Sequence, residues 1–318
     1  MKKIAIITMC ILVVSCVLCA CVPDDKDPIY LYVPDGAPAL SVAKILHDEG
    51  IDKQPINTVV TTGEDVVAKC ASGEADMAVL PTNAAVKICS DRDDYKLFSV
   101  NVYGVLYIVG TKQIGSIADL QGEKLLSIGL GNTPEYVFKK ICDTNNISYG
   151  DESGILIEYQ TDASTIIPQI LQGKAQFALI GEPAVTQLIN KAAIQDKTVY
   201  NLFDLQQLWQ DATSSDVSGY PQASLIVKSD LLDDTFVNSL YSALQANRQF
   251  VFDNAATLKE ILQRAGSSLQ IDYTAELLAR CNLTVIKAGE AKSDIEKYLA
   301  TFTAMTKYLP ISNDIYYE

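Results

Sequence analysis

One segment of the chain returns one hundred positions later with nearly the same pattern of polar and apolar residues. Residues 73–85 read GEADMAVLPTNAA, and residues 173–185 read GKAQFALIGEPAV. Each copy has a glycine suited to a helix end, a short apolar strand (Met77 to Leu80, Phe177 to Ile180), a polar turn and a new helix. This succession of elements is the unit from which parallel sheets are built.

The repeat extends upstream of the first match. Residues 59–63 correspond to residues 159–163 at the same spacing, and residues 29–44 correspond to residues 125–140 at a spacing of ninety-six. Short apolar segments resemble one another by chance, but three units that recur in the same order do not fit that alternative. The sequence therefore predicts an α/β protein with two similar doubly wound lobes that face each other and are joined by two crossing strands.

The first residues have the pattern of an export signal. Met1-Lys2-Lys3 precedes the apolar run from Ile4 to Val17, which is too short for a stable membrane span. The run closes with Leu18-Cys19-Ala20-Cys21, which resembles the lipobox of bacterial lipoproteins. We expect residues 1–20 to be a signal peptide, Cys21 to carry the lipid, and residues 21–28 to be a solvated tether. The protein would then lie on the extracytoplasmic face of the cell membrane.

The charge of the chain argues against nucleic acid as a partner. The formal net charge is −14, and it becomes −16 when Lys2 and Lys3 leave with the signal. No basic run alternates with aromatic residues, and an anionic lipid surface would repel so acidic a body. The lipid, rather than charge, would hold it at the membrane. We expect a monomer that binds no nucleic acid.

Four cysteines remain after Cys21, and none forms a CxxC pair. They lie in apolar helical or strand-flanking patterns, which favours packed thiols over metal ligands, although disulfides in an exported protein stay open as an alternative. These residues are Cys70, Cys89, Cys142 and Cys281.

The path of the chain between the predicted lobes follows from two β-rich runs. Residues 100–110 and 222–228 are predicted as the crossing strands, with a hinge near Gly110-Thr111. The first lobe would hold residues 29–109 and 222–318, and the second residues 110–221. Four helices with apolar stripes are predicted after the second crossing: residues 234–252, 255–264, 273–281 and 293–308.

Several short features, in their order and spacing, resemble type II periplasmic binding proteins. The chain is similar to the substrate-binding lipoproteins of nitrate, sulfonate, taurine and thiamine-precursor ABC importers. The features are Pro34-Asp-Gly-Ala-Pro38, Gly73-Glu-Ala-Asp76, Ile117 to Lys124, Thr133-Pro134-Glu135, Gly173 to Ala178 and Glu182-Pro183-Ala184. The resemblance implies a small polar solute (nitrate, sulfonate, aminopyrimidine or similar), an ABC permease with its ATPase, and a C-terminal part that packs back on the first lobe.

The turns after the strands are the expected binding positions, because ligands bind outside the carboxyl ends of strands in such sheets. The repeat supplies these turns in pairs, and each leads into a helix N-terminus whose free amides favour an anionic group. The predicted ligand-binding residues are Asp35, Gly36, Ala37, Thr62, Thr82, Asn83, Tyr103, Asn132, Thr133, Tyr136, Thr161 and Glu182.

Two of these residues conflict with an anionic ligand. Asp35 and Glu182 would bring negative charge to the same cleft. Either they accept hydrogen bonds from their own backbone as helix caps, or one of them pairs with an amine of the solute. Among the aromatic candidates for stacking, Tyr103, Tyr136, Tyr159 and Trp209, we favour Tyr136 because it lies just behind Asn132 and Thr133.

Catalysis has little support in the sequence. His47 is the single histidine and lies at a predicted helix end, where a surface role is sufficient. Pro134 stands in place of the third glycine of a dinucleotide fingerprint at Gly129-Leu-Gly131, and no GxSxG, P-loop or HExxH motif is present. We expect no cofactor, no metal site and no enzyme. The alternatives are an enzyme of the pyrimidine or menaquinone biosynthesis type on the same fold, and an interaction lipoprotein with an empty cleft.

Overall fold

The computed structural model describes residues 26–150, 153–215 and 218–317. The predicted signal peptide and Cys21 lie outside these residues. The strands of the described part are, in chain order, β1 (Ile29–Pro34), β2 (Gly50–Ile51), β3 (Gln54–Thr61), β4 (Met77–Pro81), β5 (Tyr95–Val102), β6 (Leu106–Gly110), β7 (Lys124–Ile128), β8 (Leu156–Gln160), β9 (Phe177–Gly181), β10 (Tyr200–Asp204), β11 (Ala223–Lys228) and β12 (Leu283–Lys287).

Helices alternate with these strands through most of the chain. They are α1 (Ala37–Leu40), α2 (Ala43–Asp48), α3 (Gly63–Ser72), α4 (Thr82–Asp91), α5 (Thr133–Thr144), α6 (Ala163–Leu171), α7 (Ala184–Ile194), α8 (Leu205–Thr213), α9 (Asp234–Asp253), α10 (Leu258–Arg264), α11 (Ala275–Arg280) and α12 (Ala288–Ala300). Short 3₁₀ helices lie at Ile117–Leu120, Ser229–Leu231, Thr303–Tyr308 and Asn313–Ile315.

The strands form two sheets with the same central pattern. The first has the order β12-β5-β11-β4-β1-β3-β2, and the second has the order β10-β6-β9-β7-β8. In each sheet three strands are parallel (β4-β1-β3 and β9-β7-β8), and an antiparallel strand (β11 or β6) lies next to them. This confirms the predicted two-sheet α/β architecture.

Both faces of the central strands are buried, which explains why these strands are apolar along their length. In β4, Met77 and Val79 belong to one hydrophobic cluster, whereas Ala78 and Leu80 belong to another. Successive side chains of a strand point to opposite faces of its sheet. Helices therefore cover both faces, as expected of a doubly wound sheet.

The strand register corrects the predicted alignment of the first repeated unit. Leu31 of β1 pairs with Met77, and Leu125 of β7 pairs with Phe177. Leu31 is therefore equivalent to Leu125, two positions from the alignment inferred from the sequence. A shift of two leaves each side chain on the same face, so the apolar pattern could not reveal it.

The crossing between the sheets lies earlier than predicted. Residues 100–110 are not one strand, because β5 ends at Val102 in the first sheet and β6 begins at Leu106 in the second. The chain turns at Gly104, whose φ is +78° and where an added Cβ would lie 2.7 Å from Cγ of Gln206. Only glycine fits this turn without strain, and the predicted hinge at Gly110-Thr111 was therefore wrong.

The C-terminal part packs against the first sheet. The edge strand β12, which the sequence analysis missed, pairs with β5, and α9 packs on α2. The last predicted helix starts earlier, at Ala288, and ends at Ala300, before a separate 3₁₀ helix. The cysteines Cys70, Cys89, Cys142 and Cys281 are all buried and free.

Candidate functional site

A cavity of about 370 Å³ lies between the two sheets, at the carboxyl ends of their parallel strands. Its walls come from the residues that follow β1, β3 and β4 on one side and β7, β8 and β9 on the other. Eight of the twelve predicted binding residues line it: Asp35, Gly36, Ala37, Thr62, Asn132, Thr133, Thr161 and Glu182.

Four helices of eight or more residues begin at this cavity. Their first residues are Gly63 (α3), Thr133 (α5), Ala163 (α6) and Ala184 (α7). The first amides of a helix have no acceptor within it, so each end offers hydrogen-bond donors. Side chains already accept one amide in three of these helices: Thr62 from Asp65 (3.2 Å), Asp162 from Thr165 (3.1 Å) and Glu182 from Thr186 (3.1 Å).

Asp35 anchors a loop that arrives from the C-terminal part of the chain. Its Oδ1 accepts hydrogen bonds from the Gly36 amide (3.0 Å) and the Ser267 hydroxyl (2.6 Å), and its Oδ2 accepts from the amide and the hydroxyl of Ser268 (2.8 and 2.9 Å). Both oxygens are therefore engaged within the protein. Asp35 was expected either to cap its own helix or to pair with an amine of the solute. It has a third role instead, because it ties two distant segments together at the cavity wall.

Glu182 is engaged in the same way but across the two lobes. Its carboxylate accepts hydrogen bonds from the amide and the hydroxyl of Thr186, and from Nε of Arg280 at 2.9 Å. The Glu182 side chain is 1% exposed and that of Arg280 is 33% exposed. Arg280 also donates to the Thr186 hydroxyl (3.0 Å) and to Glu276 (2.9 Å). Glu182 thus caps α7 and joins the second lobe to α11 of the first.

Neither Thr82 nor Asn83 lines the cavity, and Asn83 lies at the interface of the lobes. Asn83 donates to the Gly131 carbonyl (3.2 Å) and accepts from the Thr133 hydroxyl (3.3 Å). Thr82 is fully buried and shares a hydrogen bond with Ser224. Both residues were predicted to contact the solute; in the structure Asn83 holds the facing loop of the second lobe and Thr82 bonds within the first sheet.

Glu135 shapes the loop at the start of α5. It accepts a hydrogen bond from the Gly131 amide (2.5 Å) and pairs with Lys139 (2.5 Å). Burial by itself raises the pKa of Glu135, but the hydrogen bonds from Lys139 and Gly131 outweigh burial and hold that pKa below its ordinary value. The charged form is therefore the one that fixes the Gly131 turn beside the cavity.

The aromatic candidates are not in the cavity wall. Tyr136 stacks on Phe302 with ring centroids 4.9 Å apart. Trp209 packs against Tyr220 and Tyr298 in the same aromatic cluster. Tyr103, next to the crossing turn, lines a separate hollow of about 320 Å³. Tyr159, the remaining candidate, lies on β8 and is likewise outside the set of residues that line the cavity. Packing explains Tyr136 and Trp209, as is common for large aromatic side chains.

The charged residues of the cavity wall are all acidic. Within residues 26–150, 153–215 and 218–317, the lining includes no lysine, arginine or histidine. The acidic residues are Asp35, Glu64, Asp162 and Glu182. His47 lies outside this wall, near the end of α2, where it contacts Asp48 and packs on Phe250.

The described residues contain neither a candidate metal site nor a candidate membrane span. No three His, Cys, Asp or Glu side chains cluster there in a way that could hold a metal ion. No described helix is both long and apolar enough to cross a membrane.

Some residues reach the site from far along the chain and were not predicted from the sequence. Arg280, Ser267 and Ser268 lie more than ninety positions from their partners and carry no local signature. Gln222 was assigned to a crossing strand, yet it lines the cavity and accepts a hydrogen bond from the Val105 amide (2.8 Å).

Solved structures share this fold along nearly the whole chain. An ABC transporter protein from Parabacteroides distasonis has 21% identity and a TM-score of 0.72, and the match covers 92% of this chain and 99% of that one. The alkanesulfonate-binding protein from Xanthomonas axonopodis pv. citri, bound to MOPS, has 13% identity, a TM-score of 0.64 and coverage of 88% and 93%. The periplasmic aliphatic sulphonate binding protein from Escherichia coli has 14% identity, a TM-score of 0.62 and coverage of 92% and 96%.

These likenesses establish the fold, which is that of two-lobed periplasmic binding proteins. No family model and no curated protein sequence matches the chain.

Proposed function

We propose that the protein is an extracytoplasmic solute-binding lipoprotein that captures a small polar molecule between its lobes and delivers it to an ABC importer. The observation that carries this proposal is the cavity of about 370 Å³, whose walls come from the strand ends of both sheets. Its volume suits a small molecule, and its place at the carboxyl ends of parallel strands is where such folds bind ligands.

The contacts between the lobes supply the mechanism. A solute that touches Thr62 on one wall and Thr161 on the other binds the closed form better than the open form. It shifts the equilibrium toward closure by the difference in affinity between the two forms. The closed form is also held by Arg280 on Glu182 and by Asn83 on Gly131. These contacts would have to break when the permease receives the solute.

The anchor is part of the same proposal. A lipid on Cys21 would keep the receptor at the outer face of the membrane, where the importer lies. The acidic tether between Cys21 and β1 would let the body move over that surface. Replacement of Cys21 by serine should release the protein from the membrane fraction, and retention of the variant there would refute the anchor.

Two alternatives make different demands on the cavity. An enzyme would need a general base or nucleophile that faces the solute. The carboxylates of Asp35 and Glu182 are engaged within the protein, which leaves Glu64 and Asp162 as the candidates in the described wall. An interaction lipoprotein would bind its partner outside the cleft, and small solutes would not stabilise it. Neither alternative uses the convergence of helix ends on one cavity.

Thermal-shift screening of residues 22–318 tests the proposal. A bound solute stabilises the folded state in proportion to the logarithm of its concentration over Kd. The matched control is Thr161→Trp, which places an indole in the cavity from an exposed position of the wall. We expect at least one solute class to raise the Tm of the wild type and to leave the Tm of the control unchanged.

Mass spectrometry of the small molecules released when the purified protein is denatured gives an independent measure. No thermal shift with any solute and no released molecule would overturn the proposal. Equal shifts in wild type and Thr161→Trp would place the binding site elsewhere.

A further inference from the structure

The helix ends at the cavity already hold negative charge of their own. Glu64 and Asp65 lie in the first turn of α3, and Glu135 lies in the first turn of α5. Asp162 is the N-cap of α6, and Glu182 accepts the Thr186 amide of α7. A full carboxylate at a helix N-terminus exceeds the half charge of the helix dipole. The positive potential that would attract an anion is therefore compensated most fully at α3 and α6, because the carboxylates at α5 and α7 are themselves paired with basic side chains.

Few cations balance these carboxylates. Lys139 pairs with Glu135, and Arg280 pairs with Glu182 but also with Glu276. In the described ranges no salt bridge reaches Asp162, whose Oδ1 accepts from Ser164 and Thr165. The residues outside those ranges contain Lys2 and Lys3 as their only basic side chains. The surroundings of the cavity are thus negative, as is the whole chain.

Two of the four lining carboxylates are poorly placed to receive a cationic solute. Both oxygens of Asp35 and both oxygens of Glu182 accept hydrogen bonds from the protein. An ammonium group would have to displace these donors to reach either carboxylate. What remains for a solute is a set of helix amides, hydroxyls, the carboxylates of Glu64 and Asp162, and apolar surface from residues such as Ile128 and Leu130.

We infer that the solute is a molecule without negative charge that carries hydrogen-bonding groups on a partly apolar body, and that this site discriminates against anions. The inference rests on the proposed function and names the class of its solute. Amides and hydroxyls satisfy carbonyl, hydroxyl or amide groups of a neutral solute without any change in charge. A sulfonate or carboxylate would meet the same donors but also the repulsion of the surrounding carboxylates.

Isosteric pairs test this inference by isothermal titration calorimetry. Hexanesulfonate is compared with hexanesulfonamide, and benzoate with benzamide, at low and high NaCl. We expect the neutral member of a pair to bind at least about tenfold more tightly at low salt, with a smaller gap at high salt because salt screens the repulsion. The charge at neutral pH of any solute released from the purified protein is a second, independent readout.

The variant Asp162→Asn removes one negative charge, and its asparagine still caps α6. It should strengthen binding of the anionic member about threefold or more relative to the neutral member. Asp272→Asn is the control, because the Asp272 side chain is 97% exposed and its one described ion pair is long, 3.7 Å to Lys259.

Different results would overturn the inference about the solute and the proposed receptor function. Tighter binding of the sulfonate or the carboxylate, or release of an anionic solute, would overturn the inference and leave the receptor function intact. If no compound of either charge binds and no solute is released, the proposed function fails, and the inference fails with it.

Discussion

Replacement of Arg280 by methionine should loosen the closure of the two lobes. The change keeps an unbranched side chain and removes the guanidinium. Glu182, 1% exposed, loses the Nε hydrogen bond of 2.9 Å, and the Thr186 hydroxyl loses the Nη2 hydrogen bond of 3.0 Å. The pair with Glu276 matters little, because that side chain is 87% exposed.

The expected cost follows from these contacts. Removal of one partner of a fully buried ion pair costs about 3–5 kcal/mol. Arg280 is one-third exposed and Glu182 keeps its two hydrogen bonds from Thr186, so a value of about 2 kcal/mol is appropriate. Opening of the lobes lets water reach Glu182 and recovers this energy. The ratio of closed to open protein should therefore fall about 30-fold.

Two measurements check this expectation. Urea unfolding gives the free energy of unfolding, and the distance between spin labels on Lys53→Cys and Gln195→Cys, one exposed position in each lobe, gives the closed fraction. Arg264→Met, an exposed arginine on α10, is the control. The double variant with Glu182→Gln should be less affected than the sum of the single variants. Wild-type spin-label distances together with a loss below about 0.5 kcal/mol would refute the role of this pair.

Three further predictions concern parts of the molecule away from this pair. Asp35→Ala should lower the free energy of urea unfolding by about 2 kcal/mol, because Ser267 and Ser268 lose their hydrogen-bond acceptor. The control Asp272→Ala should lower it little, and equal losses in the two variants would contradict the anchor role of Asp35. Burial raises the pKa of Cys70 and Cys142 to about 12, and it raises the pKa of Cys89 and Cys281 further. A chain that begins at Val22 should therefore show no thiol reaction with DTNB at pH 8 until urea unfolds it, and any fast reaction of the folded protein would count against the packing. Glu135→Gln should lower the free energy of unfolding at pH 7, because a carboxylate whose pKa is lowered in the folded state stabilises the fold above the unfolded pKa. The difference from wild type should vanish as the pH falls through the folded pKa. A difference that persists there would contradict the role of Glu135.

The repeated segments made the architecture predictable. Strand, turn and helix recur in order, and each strand is apolar enough to be buried on both faces. The positions after the strands could be named for the same reason, and eight of the twelve predicted residues line the cavity. Whether these eight contact a solute stays a prediction.

The contacts that could not be predicted from the sequence join residues that lie far apart in the chain. Glu182 and Arg280 are 98 positions apart, and Asp35 lies more than 230 positions from Ser267 and Ser268. No local pattern marks such pairs, so the roles of both carboxylates stayed open. Tyr136 was favoured for its place on α5, but its ring stacks on Phe302 and is not part of the cavity wall.

Some errors had a signal that could have prevented them. Gly104 interrupts the β-rich run from residue 100 to residue 110, and glycine inside a strand pattern indicates a turn or a bulge. The segment Leu283-Thr-Val-Ile-Lys287 has the β-branched residues of a strand, and it is the missed edge strand β12.

Calorimetric titration of the wild type and of Thr161→Trp with the solute recovered from the purified protein tests the central claim most directly. We predict one site per chain in the wild type, occupied by a molecule without negative charge, and no measurable binding in the variant, with equal urea midpoints for the two proteins. Undiminished binding in Thr161→Trp would contradict the claim that the cavity between the lobes holds the solute.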